Sequence, residues 1–470
     1  MNKHTYWLIA AALLCRPYLL PAGEAGDGAE VPVTVTVLPR QPLHPVAADF
    51  PGFSYEVAQL TDTTPYLHPE NEALVRMLRN LGPGLLRIGG NTSDKTGWTG
   101  APRTSFTGKD SLTTTDIDRF AAFAERTGWK VLFGLNLGTS SPEVNAGEAR
   151  YVAGKMKNTL SGFQIGNEPD LYYKHLRPKD YEIKTYETEW LSHYRQIKSR
   201  LPEARFAGPA AAGDIRWFAS FMKNHPDKIT LLTAHYYNSP GQNAAVTWKT
   251  MLAPDLRLSV YLQTLDRLGR EHGVPYRMGE CNSMSRGGKA GVSNLFASAL
   301  WGLDYMWMVA LHGGQGVNFH GGSVGHYAPI VAGENGRSVA RPLYYAMLAF
   351  RYASEGGTLV PAVISPSVPN SSAYACVTRD TLNVTLLNKS EENIAFTVRL
   401  DEAPASVKVV RLTAPSPESL APEVRFGGSR VKPDGGFGIE TTESIRPSGK
   451  QFEVSVPAWS AAVVVICQNK

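Results

Sequence analysis

The stretch GFQIGNEP at residues 162–169 decides the fold class of this 470-residue chain. A short apolar run that ends in glycine, asparagine and glutamate is typical of a β-strand followed by a loop that carries functional side chains. Pro169 disfavours helical dihedral angles at the preceding residue, so the sequence predicts that Glu168 is held extended at the tip of the strand. A carboxyl group fixed in this way is a candidate for catalysis.

Seven further runs of the same kind alternate with amphipathic stretches. The eight runs lie at residues 50–56, 85–90, 130–138, 162–168, 205–210, 229–237, 276–280 and 316–322. The stretches between them, such as NEALVRMLRNLG at 71–82, have apolar residues at three- and four-residue spacing, which predicts helices. Eight strand–helix units predict an α/β fold, a (β/α)8 TIM barrel over residues 46–345. In that fold the carboxyl ends of the strands line the active site.

Beyond about residue 353 the pattern changes to short alternating segments separated by Pro, Gly, Ser and Asn. NIAFTVRL at 393–400 is one of them. This pattern predicts an antiparallel β-sandwich, which we assign to residues 346–470. VPVTVTVLP at 31–39 alternates in the same way, so the segment 30–45 is expected to add a strand to the sandwich.

Three cysteines follow the N-terminal region. Cys376 and Cys467 both lie in strand-like segments, and in an oxidising compartment they would be able to form a disulfide; free buried thiols are the alternative that their spacing leaves open. Cys281 directly follows Glu280, and because side chains alternate along a strand we expect its thiol to point away from the candidate site.

The N-terminus has the pattern of an export signal. MNKHTYWLIAAALLC at 1–15 combines a basic start with an apolar stretch too short to span a bilayer, which predicts a signal peptide over residues 1–29 and a secreted or periplasmic protein. A retained anchor, or lipid attachment at Cys15, is the alternative. No membrane span is predicted in the mature chain. The net charge of +5 is spread over scattered Lys and Arg residues, which does not indicate a nucleic-acid partner.

Glu280 ends its apolar run as Glu168 ends another. The two are 280 − 168 = 112 residues apart, about three strand–helix units, which places them on the fourth and seventh strands, facing each other across the barrel. Hydrolysis of a glycosidic bond needs two carboxyl groups, one to protonate the leaving oxygen and one to attack the anomeric carbon or activate water. The pair therefore predicts a glycoside hydrolase.

Several segments resemble glycoside hydrolase family 79, the β-glucuronidases and heparanases. They are GNEP (166–169), MGECNS (278–283), RGGKAGVS (286–293), LRIGGNTSD (86–94), TAHYYN (233–238), VGHYAPI (324–330) and RPLYYAMLAFRY (341–352). The resemblance covers most of the chain from about Val31 onward. It implies that Glu168 is the general acid/base and Glu280 the nucleophile of a retaining, double-displacement mechanism.

The resemblance also implies a set of substrate-binding residues. A uronic acid carboxylate would be held by Gly287, Gly288, Lys289 and Tyr327, the 2-hydroxyl by Asn167, and the nucleophile by Tyr237, with Glu56, Arg87, Asn91 and His235 on the floor of the pocket. This sequence departs from the family just before the glycines, where Ser285 and Arg286 stand in place of an expected aromatic residue.

The function that we predict is an exo-acting β-glucuronidase that removes terminal glucuronic acid, or its 4-O-methyl ether, from oligo- or polysaccharides. An endo-acting heparanase-like enzyme on heparan sulfate, a β-glucosidase-type diglycosidase and a catalytically silent glycan-binding protein are the alternatives. No HExxH or paired CxxC motif predicts a metal ion, and no nucleotide-binding loop predicts a cofactor.

Overall fold

The structure is a computed structural model that describes residues 30–61, 66–104, 111–333 and 336–468. The predicted signal peptide, residues 1–29, and Cys15 within it lie outside the described residues. No helix in the described part combines the length and the apolar character that a bilayer crossing requires.

The first part of the chain alternates strands and helices. In chain order its elements are β1 (Val31–Val37), β2 (Gly52–Glu56), α1 (Glu72–Asn80), β3 (Leu85–Gly89), β4 (Gly97–Trp98), β5 (Ser111–Leu112), α2 (Thr114–Thr127), β6 (Lys130–Leu135), α3 (Pro142–Lys155), β7 (Leu160–Ile165), α4 (Ile183–Arg200), β8 (Phe206–Ala211), α5 (Ile215–Asn224), β9 (Leu231–Ser239), α6 (Trp248–Leu252), α7 (Leu256–His272), β10 (Tyr276–Met284), α8 (Phe296–Leu311), β11 (Val317–Gly321), β12 (Ile330–Ala332), β13 (Ser338–Ala340) and α9 (Pro342–Ser354).

Eight of these strands close into a parallel barrel. Around the ring the order is β2, β3, β6, β7, β8, β9, β10 and β11, and β11 pairs with β2 to close it. Each barrel strand corresponds to one of the eight predicted apolar runs, so the predicted (β/α)8 barrel is confirmed. The carboxyl ends of all eight strands meet at one face, which gathers distant parts of the sequence.

Local sequence signals fix where the barrel helices begin and end. Helix α2 starts with a capping box, in which the Thr113 side chain accepts from the backbone of Asp116 and the Asp116 carboxylate accepts from the backbone of Thr113. The helix ends at Gly128, whose φ of 74° is left-handed and favours glycine. Between these caps, the buried residues of α2, such as Ile117, Phe120 and Phe123, belong to the main core cluster.

The second part of the chain is a β-sandwich. Its strands are β14 (Thr358–Val360), β15 (Ala362–Ser365), β16 (Ser371–Val377), β17 (Leu382–Asn388), β18 (Ile394–Arg399), β19 (Pro404–Thr413), β20 (Arg425–Phe426), β21 (Glu443–Ile445), β22 (Gln451–Val456) and β23 (Ser460–Gln468). One sheet has the order β15, β1, β18, β22, and the other has β14, β16, β17, β23, β19, β20 with β21 beside β19.

The predicted sandwich is present, but it is not wholly antiparallel. Strand β1, from the N-terminal segment, lies between β15 and β18 and runs parallel to β18, with Val31 opposite Ile394. A strand that enters the sheet before the barrel begins is not constrained by a hairpin to its neighbours, so its direction is free to match either of them.

The predicted boundary at residue 345 falls inside α9. This helix follows the last barrel strand and packs on α8, so it belongs to the barrel, and the sandwich begins after Ser354. Helix α9 is apolar on nearly all sides because it is buried between the barrel and the sandwich. A buried ion pair joins the two parts, since Lys389 Nζ lies 2.6 Å from Asp304 Oδ2.

The possible disulfide between Cys376 and Cys467 is not formed, because all three described cysteines are free. Cys376 lies on β16 and Cys467 on β23, and β17 lies between these strands in the sheet. Two strand spacings amount to about 9.6 Å, beyond the Cα separation that a disulfide spans. The alternative of free thiols is the arrangement in the structure.

Candidate active site

The two glutamates of the sequence prediction come together at the carboxyl face of the barrel. One carboxylate oxygen from each of them, and one ring nitrogen of His235, lie within 4.8 Å of one another. Retaining glycoside hydrolases place their two carboxyl groups about 5 to 5.5 Å apart, whereas inverting enzymes leave a wider gap for water. The spacing of Glu168 and Glu280 is therefore of the retaining kind.

A β-bulge turns the Glu280 side chain into the barrel. Met278 pairs with Ala234 of β9 and Glu280 pairs with His235, so Gly279 is an extra residue without a partner on β9. In a regular strand Glu280 would share the outward face of Met278, which belongs to the core cluster. The sequence prediction treated Glu280 as the end of its strand; in the structure β10 continues to Met284.

Glu168 does not have the extended backbone that the sequence predicted. Its φ of 50° and ψ of 52° are left-handed. Pro169 excludes the right-handed helical region, and two backbone hydrogen bonds select the left-handed one: Glu168 N donates to Ala210 O and Leu171 N donates to Glu168 O, both at 2.9 Å. Such a backbone costs on the order of 1–3 kcal/mol for a residue other than glycine, a strain that is typical of functional positions.

Three groups surround the carboxylate of Glu280. Arg87 Nη1 donates to Oε2 at 2.7 Å, Tyr237 Oη donates to Oε1 at 2.7 Å, and His320 Nδ1 lies 3.7 Å from Oε2. Burial raises the pKa of Glu280, but the charges of His320, His235 and Arg87 and the Tyr237 hydrogen bond outweigh it and hold the pKa well below its usual range. Glu280 is therefore anionic.

Arg87 connects both glutamate segments from beneath. Its guanidinium is fully buried and donates to Glu280, to Ser54 Oγ at 2.8 Å and, through Nη2, to Asn167 Oδ1 at 2.7 Å. The amide nitrogen of Asn167 is buried and has no partner among the described residues. A buried donor of this kind, next to Glu168 in the chain, is available to a ligand hydroxyl.

Among the residues that the structure describes, Glu168 has one side-chain partner. His235 Nδ1 lies 3.0 Å from Glu168 Oε1, and His235 Nε2 has no partner among the described residues. The two groups share a proton position, which suits a carboxyl that gives up a proton and takes it back. Together with Glu280 they also form the kind of cluster that holds a metal ion, although the carboxyl spacing has its own explanation in a retaining mechanism.

Glu56 and His320 form a second charged pair beside Glu280. His320 Nε2 lies 3.6 Å from Glu56 Oε1, and the Glu56 carboxylate also accepts from the backbone of Asn91 and Thr92. Burial lowers the pKa of His320, but Glu280 and Glu56 outweigh it and raise the pKa. The sequence analysis did not assign a role to His320. Its ring reaches the site because β11 pairs with β2 in the register that places Gly321 beside Tyr55.

Asp94 is a buried residue whose role the sequence did not reveal, although it lies in the segment LRIGGNTSD. Its Oδ2 accepts from Asn167 N at 3.0 Å and from Tyr172 Oη at 2.7 Å, and its Oδ1 accepts from the backbone of Leu137 and Gly138. Burial raises the pKa of Asp94 to about 6 despite these four donors. Asp94 thus fixes the backbone on which Asn167 and Glu168 stand.

A cavity of about 740 Å³ lies above the two glutamates. Its lining includes Glu56, Gln59, Asn91, Glu168, Leu171, Lys174, His175, Ala212, Tyr237, Glu280, Ser285, Arg286, Gly287, His320, Gly321, Val324, Gly325 and Tyr327. Seven of the predicted site residues are in this lining: Glu56, Asn91, Glu168, Tyr237, Glu280, Gly287 and Tyr327. Arg87 and His235 are outside this lining but contact Glu280 and Glu168, and Asn167 is bonded to Arg87.

Two predicted carboxylate ligands do not line the cavity. Lys289 N donates to Ser293 Oγ at 3.1 Å and Lys289 Nζ holds the backbone oxygens of residues 243, 244 and 246, while Gly288 N donates to Ser285 O at 3.4 Å. Gly288 is needed for close packing instead, since a Cβ at its φ of 79° would meet Tyr327 N at 2.9 Å.

Arg286, which precedes Gly287 and Gly288 in the chain, is in the lining of the cavity. Its φ is 58°, and its guanidinium has no partner among the described residues. The neighbouring Gly287 O accepts from His326 N, which ties the loop after β10 to the loop that carries Tyr327. Arg286 and Tyr327 thus line the same cavity from two loops that this hydrogen bond joins.

Comparison with known proteins agrees with this arrangement. No family model matches the chain. A β-glucuronidase of Aspergillus niger is 26% identical, with 88% of this chain and 85% of that protein covered. A β-glucuronidase of Neurospora crassa is 24% identical over 73% of this chain and 67% of that protein, and a heparanase of Gallus gallus is 26% identical over 43% and 41%.

Among solved structures, a 4-O-α-L-rhamnosyl-β-D-glucuronidase from Fusarium oxysporum 12S superposes with a TM-score of 0.76 at 16% identity, covering 92% of this chain and all of that chain. A family 51 arabinofuranosidase from Xanthomonas axonopodis pv. citri gives a TM-score of 0.69 at 18% identity, covering 93% of this chain and all of that chain. At these identities the superpositions show the fold alone. Together with the curated relatives, they confirm the resemblance that the sequence motifs predicted.

Proposed function

We propose that this chain, which resembles glycoside hydrolase family 79, is a retaining exo-β-glucuronidase. The observation that carries the proposal is the carboxyl pair: Glu168 and Glu280 lie within the spacing of a double displacement and have different surroundings. Glu280 is anionic and hydrogen-bonded by Arg87 and Tyr237. Glu168 stands on a strained backbone with His235 as its partner. One group is suited to attack and the other to proton transfer.

In the first step, a Glu280 oxygen attacks the anomeric carbon while Glu168 donates its proton to the leaving oxygen. The glycosidic bond breaks, the alcohol departs, and a glycosyl ester of Glu280 remains. In the second step, Glu168 takes a proton from water as the water attacks the anomeric carbon, and Glu280 leaves as a carboxylate. Two inversions give net retention of the β configuration.

Asn167 is placed to stabilise the transition state. Its side-chain oxygen is fixed by Arg87, and its buried amide nitrogen would donate to the sugar 2-hydroxyl. Contacts to this hydroxyl strengthen as the anomeric carbon gains positive charge. Arg87 therefore orients both the nucleophile and this donor.

The uronate carboxylate would lie against Arg286, Gly287 and Tyr327. A guanidinium and a phenol hydroxyl supply charge-assisted hydrogen bonds to an anion, and the guanidinium has no partner in the described part of the chain. This arrangement replaces the Gly288 and Lys289 contacts expected from the sequence. It supports a uronic acid over a neutral sugar as the residue that is removed.

The test is hydrolysis of para-nitrophenyl β-D-glucuronide and β-D-glucoside by the mature protein, with Glu280→Gln as control. We expect a preference for the glucuronide of at least about a hundredfold, since a neutral sugar leaves the cation without its partner. Equal rates would overturn the uronate assignment and favour the β-glucosidase alternative. Cleavage of only internal bonds of heparan sulfate would favour the endo-acting, heparanase-like alternative. Binding of a glycan without release of any sugar would favour the catalytically silent glycan-binding alternative.

We also infer that the protein acts outside the cytoplasm. The basis is the basic and apolar pattern of residues 1–15. Fractionation of cells that express the full chain, followed by N-terminal sequencing, is expected to give a mature protein that starts near residue 30. An uncleaved chain that pellets with membranes would favour the anchored alternative.

A further inference from the structure

A second cavity, of about 660 Å³, opens beside the catalytic cavity. Leu171 and Ala212 line both cavities, so the two are adjacent. The wall of the second cavity is the 3-10 helix Pro169–Lys174, which starts directly after Glu168. Whatever fills this cavity therefore contacts the segment that carries the proton donor.

The position of Glu168 determines which part of a substrate would reach this second cavity. Glu168 protonates the leaving oxygen, so the leaving group extends from the site on the Glu168 side. Glu168 follows β7 and Ala212 follows β8, which are neighbours in the barrel. The uronate side, with Arg286 and Tyr327, follows β10 and β11 across the barrel. The second cavity is thus on the leaving-group side.

Aromatic rings form one part of the lining. Tyr173 is 42% exposed, and Lys174 Nζ lies over its ring, 5.6 Å from the ring centre. The ring centres of Tyr181 and Trp217 lie 6.3 Å apart in the same wall. The C–H faces of a sugar ring pack on such rings, while the hydroxyls at its edge need hydrogen-bond acceptors.

Carboxylates form the other part of the lining. Asp170, Glu182 and Asp214 are in the lining with a single cation, Arg216, which is bound by Asp214 at 3.0 Å between Nε and Oδ1. The Glu182 carboxylate has no side-chain partner among the described residues. Asp170 accepts from the backbone of Ala212 and Asp214, so Glu182 is the carboxylate left to accept hydrogen bonds from sugar hydroxyls. The three carboxylates outnumber the single lining cation, which opposes sulfate and uronate groups.

We propose that the second cavity binds the first sugar of the leaving group and that this sugar is neutral, stacked on Tyr173. The inference rests on the proposed function, since it uses Glu168 as the proton donor. It names the substrate class more closely: glycans in which a terminal glucuronic acid is attached to an uncharged sugar. Sulfated glycans are disfavoured on this side.

The experiment compares two substrates that differ only in the leaving group. One is a disaccharide with β-glucuronic acid linked to galactose; the other is β-D-glucuronosyl fluoride, which has no leaving-group sugar. Tyr173→Ala is the test variant and Tyr173→Phe keeps the ring. Tyr352→Ala is the matched control, because Tyr352 is 36% exposed on α9 and lines neither cavity.

For Tyr173→Ala we expect kcat/KM to fall about threefold to tenfold with the disaccharide and to stay within about twofold with the fluoride. Tyr173→Phe and Tyr352→Ala are expected to match the wild type on both. An unchanged disaccharide value, or equal losses on both substrates, would overturn the subsite. So would faster cleavage when the galactose carries a sulfate. Failure of the wild type to cleave the fluoride would instead overturn the proposed function, and the subsite with it.

Discussion

Arg87 Nη1 lies 2.7 Å from Glu280 Oε2, and Arg87 Nη2 lies 2.7 Å from Asn167 Oδ1. One buried guanidinium thus holds Glu280 and the residue beside Glu168 in a fixed relation. The two contacted residues are 113 positions apart in the chain (280 − 167) and meet only because the barrel closes. The geometry of the site depends on this bridge.

Replacing Arg87 should therefore damage catalysis more than substrate binding. We expect Arg87→Lys to lower kcat by about a hundredfold or more, because a single ammonium group cannot reach both partners. KM for the glucuronide should change by less than about fivefold. Steady-state kinetics with para-nitrophenyl β-D-glucuronide measure both, and thermal unfolding controls for a loss of stability. A large rise in KM with unchanged kcat would contradict the bridging role.

Tyr237 should set part of the acid limb of the pH profile. Its hydroxyl donates to Glu280, which favours the anionic form, so Tyr237→Phe should raise the pKa of Glu280. Since Glu280 must be ionised to attack, the acid limb of kcat/KM is expected to move to higher pH. We expect kcat to fall about tenfold. An acid limb at the wild-type position would show that this hydrogen bond does not tune the nucleophile.

We expect that Arg286, and not Lys289, is the cation that binds the uronate carboxylate. Arg286→Gln is expected to lower kcat/KM for the glucuronide about tenfold to a hundredfold and to leave the glucoside unchanged. Lys289→Gln is the matched control, since the Lys289 ammonium is bonded to the backbone of residues 243, 244 and 246. It should affect both substrates equally and mildly. A selective glucuronide loss for Lys289→Gln would restore the original prediction.

Asp94 should give the folded chain an unusual pH dependence of stability. Its pKa is about 6 when folded and about 3.9 in an unfolded chain, so between these values only the unfolded state has released the proton. Stability from this group is thus present at low pH and falls as pH rises from about 4 to about 6, by on the order of 3 kcal/mol. Asp94→Asn cannot titrate.

Denaturant unfolding of wild type and Asp94→Asn at pH 4, 5, 6 and 7 tests this. The free energy of unfolding of the wild type, minus that of Asp94→Asn, should decrease as the pH rises to about 6 and then stay constant. A constant difference would mean that Asp94 does not titrate in this range. The variant should also lose activity, because its amide has one oxygen where the carboxylate uses two to accept from Asn167, Tyr172, Leu137 and Gly138.

The sequence predicted the barrel and both glutamates because their signals are local and repeated. Each apolar run predicts one strand by itself. A wrong assignment of one of the eight runs would leave the predicted barrel unchanged. The features that the sequence missed depend on contacts between distant segments. Gly279 looks like an ordinary strand residue, yet its bulge decides which face carries Glu280. The left-handed backbone of Glu168 depends on the hydrogen bond to Ala210 on the next strand.

The same reason explains the other corrections. Cys376 and Cys467 are both strand residues, but only the order of strands in the sheet shows that β17 separates them. Gly288 and Lys289 match the motif, and only the folded loop shows that Ser285 and Ser293 already bind their backbone nitrogens. Motif spacing predicts which segments meet, whereas the individual hydrogen bonds require the assembled loops.

The most direct test of the central claim is covalent trapping of the nucleophile. Incubation with 2-deoxy-2-fluoro-β-D-glucuronosyl fluoride slows the second step, so the glycosyl-enzyme accumulates. Mass spectrometry of proteolytic peptides is expected to find one fluoroglucuronosyl group on Glu280, and Glu280→Gln should remain unlabelled. A label on Glu168, or turnover of the aryl glucuronide with inversion at the anomeric carbon, would contradict the proposed mechanism.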